Sequence, residues 1–408
     1  MIKIKNKKDC CGCHACVTIC SKHCITMKAD EEGFLYPIVD KYTCNDCGLC
    51  EKVCPVINQS EPRKPLKAYA AKTRDEEIRR QSSSGGVFTL LAEKVINEGG
   101  VVFGARFNEN WDVVHSWTDT IEGVAAFRGS KYVQSTIGDT YREAREFLKQ
   151  GRKVLFSGTP CQIAGLKKFL RKEDDKLLTV DIVCHGVPSP LIWRTYLDEN
   201  RRQFRPGLGV LRKTVLSSLN EVPVITDISF RDKTNGWKKF GLRLSYAASE
   251  AAQNMVPAFT IRENVFLQPL TENIFMRIFL QNLSLRPSCF DCPSKSFKSY
   301  SDITLADFWG IEYVDDDFKD DKGCSLVLEN TSKGCAEIGV LNLYKKEYEQ
   351  NYAFKYNSSA FTSVKRPNGR KRFWKAMMKG KTLSLCLIAA NPTLLERIFN
   401  KVKKFVEK

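Results

Sequence analysis

Short apolar runs alternate with amphipathic ones from Leu66 to about Thr195, the pattern of an α/β domain in which strands feed helices. Lys67–Thr73 reads as a strand, Val87–Asn97 as a helix closed by Gly99 and Gly100, and Val101–Phe107 as the next strand. Thr140–Lys149 and Gln162–Leu170 follow as helices, with Lys153–Ser157 and Leu177–Val183 as strands. Between Arg201 and Thr260 the periodicity weakens to Val224–Phe230 and Phe240–Tyr246, which predicts a mainly antiparallel insertion. Thr271–Leu283 is then expected as a helix, and Asp302–Ala306 and Leu326–Glu329 as strands. The polar, proline-bearing stretch Asn58–Pro65 marks a linker after a cysteine-dense segment. After Val364 eight lysines and arginines fall between Lys365 and Lys381, ahead of a short apolar helix at Leu383–Ala390. Three regions result: a small module at 1–58, an α/β domain with a mixed sheet at 66–364, and a basic helical tail at 365–408.

Composition narrows the classes. The 408 residues are 43% hydrophobic and 27% charged, with no apolar run of membrane-spanning length, so a soluble protein is expected. The N-terminus runs straight into cysteines without the apolar core of a secretory signal, which predicts a cytoplasmic protein. Seventeen cysteines in a reducing compartment point to metal ligation rather than disulfides. The formal charge of +17 suits an acidic partner through electrostatic steering. No nucleic-acid partner is expected, because no reader motif accompanies the charge and the basic residues are dispersed.

The cysteines supply the sharpest signal. Cys10, Cys13, Cys16 and Cys20 follow C-x-x-C-x-x-C-x-x-x-C, and Cys44, Cys47, Cys50 and Cys54 repeat it. Three closely spaced thiolates wrap one cubane and the fourth reaches the other, as in bacterial-type ferredoxins with two 4Fe-4S clusters. One cluster is thus expected on Cys10, Cys13, Cys16 and Cys54, the other on Cys44, Cys47, Cys50 and Cys20. A zinc site does not need such runs. Ser21 replaces the proline that usually follows the first run, and Cys11 and Cys24 are read as non-ligands.

Four further cysteines stand in pointed contexts: Cys161 in SGTPCQ, Cys184 in DIVCHG, and Cys289 with Cys292 in CFDC. The first two follow expected strands and so share one sheet edge. Four thiolates suffice for one more cubane, while buried, inert cysteines remain the alternative. Ser83, Ser84, Gly85 and Gly86 open an expected helix, where backbone N–H groups suit a pyrophosphate or simply an N-cap. Arg128–Tyr132 sets Lys131 and Tyr132 beyond a glycine, fit for a phosphate, a flavin edge or a solvated turn. His185, one of four histidines, follows Cys184 and is a candidate proton donor or a structural hydrogen-bonding group.

Taken together, SSGGVFTLL at 83–91, RGSKY at 128–132, GTPCQIAGLKKFL at 158–170, DIVCHGVPSP at 181–190 and CFDCPSKSFKSYSDITLADFWG at 289–310 resemble the coenzyme F-420 hydrogenase/dehydrogenase beta-subunit family. The resemblance covers 66 to about 330. It implies an FAD domain with its own 4Fe-4S cluster, held by Cys161, Cys184, Cys289 and Cys292. It also implies FAD contacts at Ser83, Ser84, Gly85 and Gly86, with Lys131 beside the flavin. The expected function is an iron-sulfur flavoprotein oxidoreductase, moving electrons between a hydride carrier or reducible substrate and the clusters. A deazaflavin or nicotinamide is the candidate coenzyme, and ferredoxin or a flavodoxin-like carrier the candidate protein partner. The alternative is a non-catalytic electron-transfer subunit serving a partner enzyme, as in polysaccharide modification. The tail predicts either peripheral membrane contact or a helix packed on the protein with a solvated face.

Overall fold

The computed structural model describes residues 1–203, 224–247 and 264–391. The first 58 residues hold an antiparallel hairpin, β1 (Ile25–Ala29) and β2 (Leu35–Val39), flanked by two short helices, α1 (Ala15–Ile19) and α2 (Leu49–Lys52). The cysteine repeat is also a backbone repeat. Gly12 and His14 in the first run correspond to Asp46 and Gly48 in the second, and all four have positive φ, at 72°, 63°, 50° and 72°. Left-handed residues between ligands curl each loop so that its thiols and amides face inward, the concave form that suits an anionic cluster.

Beyond the linker lies a mixed sheet of eight strands in the order β13-β3-β12-β11-β7-β6-β4-β5. Its strands are β3 (Lys67–Thr73), β4 (Val101–Phe107), β5 (Val113–Thr118), β6 (Val154–Gly158), β7 (Leu177–Ile182), β11 (Ile303–Asp307), β12 (Ser325–Glu329) and β13 (Leu343–Glu347). The centre, β11-β7-β6-β4, is parallel, and both margins are antiparallel. Val154, Leu155 and Phe156 of β6 are all fully buried, the continuous apolar run of a parallel strand covered on both faces.

The covering helices include α3 (Glu76–Gln81), α4 (Val87–Asn97), α5 (Ile121–Val124), α6 (Thr140–Lys149) and α7 (Pro160–Leu170). On one face, Val87, Leu91 and Val95 of α4 pack on the sheet. On the other, α6 and α7 pack with Phe103 and Phe156, and Cys13, Ala15 and Val53 of the N-terminal module join that same core. Gly165 permits this docking, since a Cβ there would lie 2.9 Å from the Cys13 Cβ.

A third core gathers around α8 (Pro190–Gln203), a small antiparallel sheet β10-β9-β8, and α9 (Ile274–Leu280). Its strands are β8 (Val224–Asp232), β9 (Gly241–Ala247) and β10 (Asn264–Pro269), so the antiparallel insertion is present. Trp193 is fully buried there, with its ring 4.8 Å from Phe230 and 5.1 Å from Phe275.

The remaining helices are α10 (Ser332–Gly339), α11 (Gln350–Phe354), α12 (Arg370–Met377) and α13 (Leu383–Ala390). The helix expected over 271–283 shortens to α9 because Asn273 caps it, accepting from the Met276 amide at 3.1 Å. The margins β5 and β13 and the hairpin β1-β2 were missed, being short and partly polar. The basic stretch is not a loose tail between 370 and 390: Phe373, Trp374, Leu383 and Leu387 pack into the third core. Arg370, also buried, pairs with Glu32 of the N-terminal module at 2.7 Å and donates to the Leu285 carbonyl at 2.9 Å. Residues 392–408, the end of the expected tail, lie outside the described residues. No helix among the described residues is long and apolar enough to cross a membrane.

Candidate electron-transfer site

Within the module, the Cys16 thiol neighbours Cys10 and Cys54, and Cys13 neighbours Cys16 and Cys54. The first expected set of four is thus brought together, with Cys54 arriving from the second run. Around the second set, the Cys20 Sγ lies 3.4 Å from the Cys24 Sγ, and the Cys24 thiol is electrostatically coupled to Cys44. Cys24 therefore stands among the second set rather than beside the first, a proximity its spacing did not reveal. Amides already point at sulfur: Ile2 donates to the Cys50 Sγ at 3.2 Å and Asp46 to the Cys44 Sγ at 3.4 Å. Cys47 is exposed, so the second set opens to solvent.

The sequence Gly-Thr-Pro-Cys-Gln is a strand end and a helix start. The Thr159 amide donates to the Gln162 Oε1 at 2.9 Å, Pro160 occupies the first helical turn, and Cys161 follows at the positive end of α7. Because Gly158 of β6 pairs in register with Asp181 of β7, the chain leaving each strand reaches the same edge. Cys161 and Cys184 meet there. Cys289 and Cys292, on the turn Pro287–Asp291 and just after it, close the other side, and all four line one cavity. The Val187 amide donates to the Cys289 Sγ at 3.5 Å, and the Thr159 hydroxyl lies 3.3 Å from the Cys161 Sγ.

Burial pushes the Cys184, Cys289 and Cys292 thiols up, Cys184 to about 12, and the neighbouring Cys11 thiol raises Cys161, so ligation would have to displace their protons. The described residues contain no group of three or more acidic, His or Cys side chains positioned around one ion. A cubane does not ask for that, since each thiolate binds a different iron. The four-thiol donor set, the enclosure and the inward amides fit a cubane. Cys11, set aside from the sequence, lines this same cavity, and its thiol is electrostatically coupled to Cys13 and to Cys161, so a residue of the module reaches into the cavity.

His185 lines the cavity too, but its Nε2 is 2.7 Å from the Asn282 Oδ1 and its ring sits edge-on to Phe279. Burial lowers its pKa. The geometry matches the structural role as well as the proton-transfer one.

The second candidate region surrounds the loop before α4. Ser83 is tied to the 128–132 loop through the Ser130 amide at 2.7 Å. The glycines answer to packing: a Cβ on Gly85 would meet the Ala71 carbonyl oxygen at 2.2 Å, and Gly86, with φ +86°, abuts Thr73. Arg231, which sequence reasoning missed, is the hub. It pairs with Asp307 at 2.7 Å, donates to the Tyr132 hydroxyl at 3.2 Å and the Ser83 carbonyl at 3.3 Å, and lies 4.0 Å from the Phe240 ring centre. The Ser84 hydroxyl and the Nε groups of Arg128 and Arg231 are buried without partners. Such orphaned donors beside a helix N-terminus fit an anionic group such as a flavin pyrophosphate.

Lys131 is partly buried. Burial pushes its pKa down to about 7, and its Nζ donates to the Arg128 carbonyl at 2.8 Å. His115, also missed, is buried near it with its Nδ1 unpartnered, and its pKa is lowered to about 4. Its rarity was the one available signal; neither it nor Arg231 sits in a motif.

Known protein families share these segments. Residues 9–58 match the 4Fe-4S dicluster domain model. Residues 68–140 match the model for the N-terminal part of the coenzyme F420 hydrogenase/dehydrogenase beta subunit, and residues 151–205 the model for its C-terminal part. The chain is 26% identical over 193 residues to the F subunit of F(420)H(2) dehydrogenase from Methanosarcina mazei, covering 43% of this chain and 53% of that protein. It is 30% identical over 167 residues to the coenzyme F420-dependent sulfite reductase of Methanocaldococcus jannaschii, covering 39% of this chain and 25% of that protein. It thus spans about half the length of the first relative and a quarter of the second. A chain from a structure of the F420-reducing NiFe hydrogenase complex of Methanosarcina barkeri superposes with a TM-score of 0.44 at 16% identity, over 73% of this chain and 90% of that one. That superposition is too loose to bear on the site. The family matches make the chain an iron-sulfur electron-transfer protein with 4Fe-4S clusters in its first domain.

Proposed function

We propose that this chain, which belongs to the coenzyme F420 hydrogenase/dehydrogenase beta-subunit family, is an FAD-dependent oxidoreductase with three 4Fe-4S clusters. Cys10, Cys13, Cys16 and Cys54 hold the first, Cys44, Cys47, Cys50 and Cys20 the second, and Cys161, Cys184, Cys289 and Cys292 the third. FAD belongs at Ser83–Gly86 with Lys131, Tyr132 and Arg231, in the same 66–364 unit as the third cluster. When bound, a flavin accepts two electrons as hydride and gives them up singly, so it joins a hydride carrier to one-electron cubanes.

The observation that carries this reading is the convergence of four separated cysteines on one cavity that Cys11 links to the N-terminal module. Chain residues supply the rest. Arg231 and the Ser84 hydroxyl orient and neutralise an anionic ligand. Lys131 Nζ, poised near neutrality by burial, can hold or release a proton beside the flavin edge. The aromatic walls at Phe240 and Trp309 exclude water from the guanidinium.

A hydride carrier of the deazaflavin or nicotinamide class is the substrate this arrangement suits, and an acidic ferredoxin in the cytoplasm suits the +17 charge. A relay without its own substrate is the second reading, favoured by the exposed Cys47 and the fully exposed Tyr42 close by in sequence, which offer a protein partner access to the second cluster.

Anaerobic purification tests the assignment: about twelve irons and twelve sulfides per chain, four to each cubane, with one releasable FAD. Bleaching of the flavin band by reduced deazaflavin, NADH or NADPH supports the oxidoreductase. A response only to reduced ferredoxin supports the relay, and an ion content dominated by zinc refutes both.

A further inference from the structure

Four arginines are buried among the described residues, and three have a carboxylate partner: Arg79 pairs with Asp320, Arg231 with Asp307 and Arg370 with Glu32. Arg286 is the exception. It is 1% exposed, and no carboxylate among the described residues lies within ion-pair range. A cation in that position needs an anion close by.

Its guanidinium is aimed at the first cysteine run. Nε donates to the Cys10 carbonyl at 2.8 Å, and Nη2 reaches the Leu35 carbonyl at 2.9 Å and the Cys10 Sγ at 3.5 Å. Nη1 donates to the Gln134 Oε1 at 2.9 Å, and Gln134 in turn donates to the Cys11 carbonyl at 3.0 Å. The rings of Tyr36 and Phe34, at 4.3 and 5.4 Å, cover it against water. Gly12 leaves room for it, since a Cβ there would lie 2.8 Å from Nη1. Its own backbone leads into the other cage, for its carbonyl accepts from the Cys289 amide at 2.9 Å. Arg286 therefore stands between two sets of proposed cluster ligands, with no counter-charge except their sulfur.

We propose that Arg286 tunes the reduction potential of the cluster at Cys10, raising it through the field of an unpaired, buried cation. The inference rests on the proposed assignment of Cys10, Cys13, Cys16 and Cys54 to one cubane. Reduction adds one electron to that cluster, supplied by an external reductant, with no bond made or broken and no proton taken up. The added negative charge is stabilised by a nearby cation in a poorly screening interior. Electrons entering at the exposed Cys47 side then meet a more favourable step onto the cluster at Cys10.

The test is an EPR-monitored dithionite titration of the anaerobic holoprotein and its Arg286→Gln, Arg286→Lys and Gln134→Glu variants. Arg286→Gln is expected to make reduction of one cluster at least tenfold less favourable, about 59 mV for a one-electron step, while Arg286→Lys keeps most of the wild-type value. Gln134→Glu is isosteric and sets a carboxylate against Nη1, so it lowers the same potential even if Arg286→Gln fails to retain iron. Unchanged potentials in Gln134→Glu with full iron content overturn the proposal. So does a drop in Arg286→Lys as large as that in Arg286→Gln, which would make the residue a clamp rather than a charge. The wild-type iron count separately tests the cluster assignment on which the inference depends.

Discussion

Gly165→Ala places a single methyl group at the junction of the N-terminal module and the sheet domain. On an ordinary exposed helix this change would stabilise by roughly 0.5–1 kcal/mol, because glycine pays the larger entropy on folding. Here the new Cβ would lie 2.9 Å from the Cys13 Cβ, 3.0 Å from its Sγ and 3.0 Å from the Tyr141 hydroxyl. None can yield freely. Tyr141 is fully buried and donates to the Gln162 carbonyl at 2.7 Å, and Cys13 sits in a tight loop between left-handed residues. Overpacking of this kind costs about 1–3 kcal/mol; with three crowded neighbours the upper part of that range, about 2–3 kcal/mol, applies, so after the helix gain a net loss of about 1–2 kcal/mol remains.

Gly339→Ala is the matched control, since a Cβ at the end of α10 meets nothing within 4 Å. It should stabilise by about 0.4–1 kcal/mol. Thermal unfolding of anaerobic protein, with iron content measured beforehand, reads both variants. Gly165→Ala is expected to melt a few degrees below wild type and Gly339→Ala at or above it. A Gly165→Ala protein as stable as wild type with full iron would refute the reasoning that α7 and Cys13 are packed to contact.

Cys184→Ser should lose about four irons and leave two clusters' worth, whereas Cys335→Ser, at a half-exposed cysteine outside all three sets, should lose none; iron and sulfide analysis decides. Glu32→Gln leaves Arg370 buried and unpaired, a loss of about 3–5 kcal/mol, and the Glu32→Gln/Arg370→Met double variant should lose less than the sum of the two single changes, as thermal melts can show. Lys131 has a folded pKa of about 7 against 10.5 when exposed, so between those values the unfolded chain binds more protons and wild-type stability rises with pH. Lys131→Met removes that rise; its stability advantage over wild type should shrink from pH 7 to pH 10, and a constant difference would show that Lys131 stays charged.

Much of the site was legible in the sequence because its chemistry is local. Two identical cysteine spacings announce cubane ligands, since the distances a cluster demands are spanned by a few residues of one loop. The motif Gly-Thr-Pro-Cys-Gln likewise reads as a strand end and capped helix start, and the structure has β6 and α7 there. Strands β3, β4 and β7 were visible as short, nearly continuous buried runs, and helices α4 and α6 because their buried positions recur at helical spacing. The margins β5 and β13 were not, for they lack a continuous buried run: only Val113 and His115 of β5 and Leu343 of β13 are buried.

The sequence alone therefore determined the presence of paired clusters, the alternating core of the sheet domain, and the set of four outlying cysteines. Only the tertiary structure decided how these parts meet. It seats the module on α7 through Gly165, draws Cys11 into the cavity of Cys161 and Cys184, and sets Arg286 against Cys10 across more than two hundred and seventy positions of chain. It also fixes residues 370–390 in the core through Arg370 and Glu32, where the charge pattern left open membrane contact or a helix packed on the protein. The reason is physical: local spacing encodes local geometry, but a buried cation or a bridging thiol acquires its neighbours from packing between elements, which no short stretch of sequence contains.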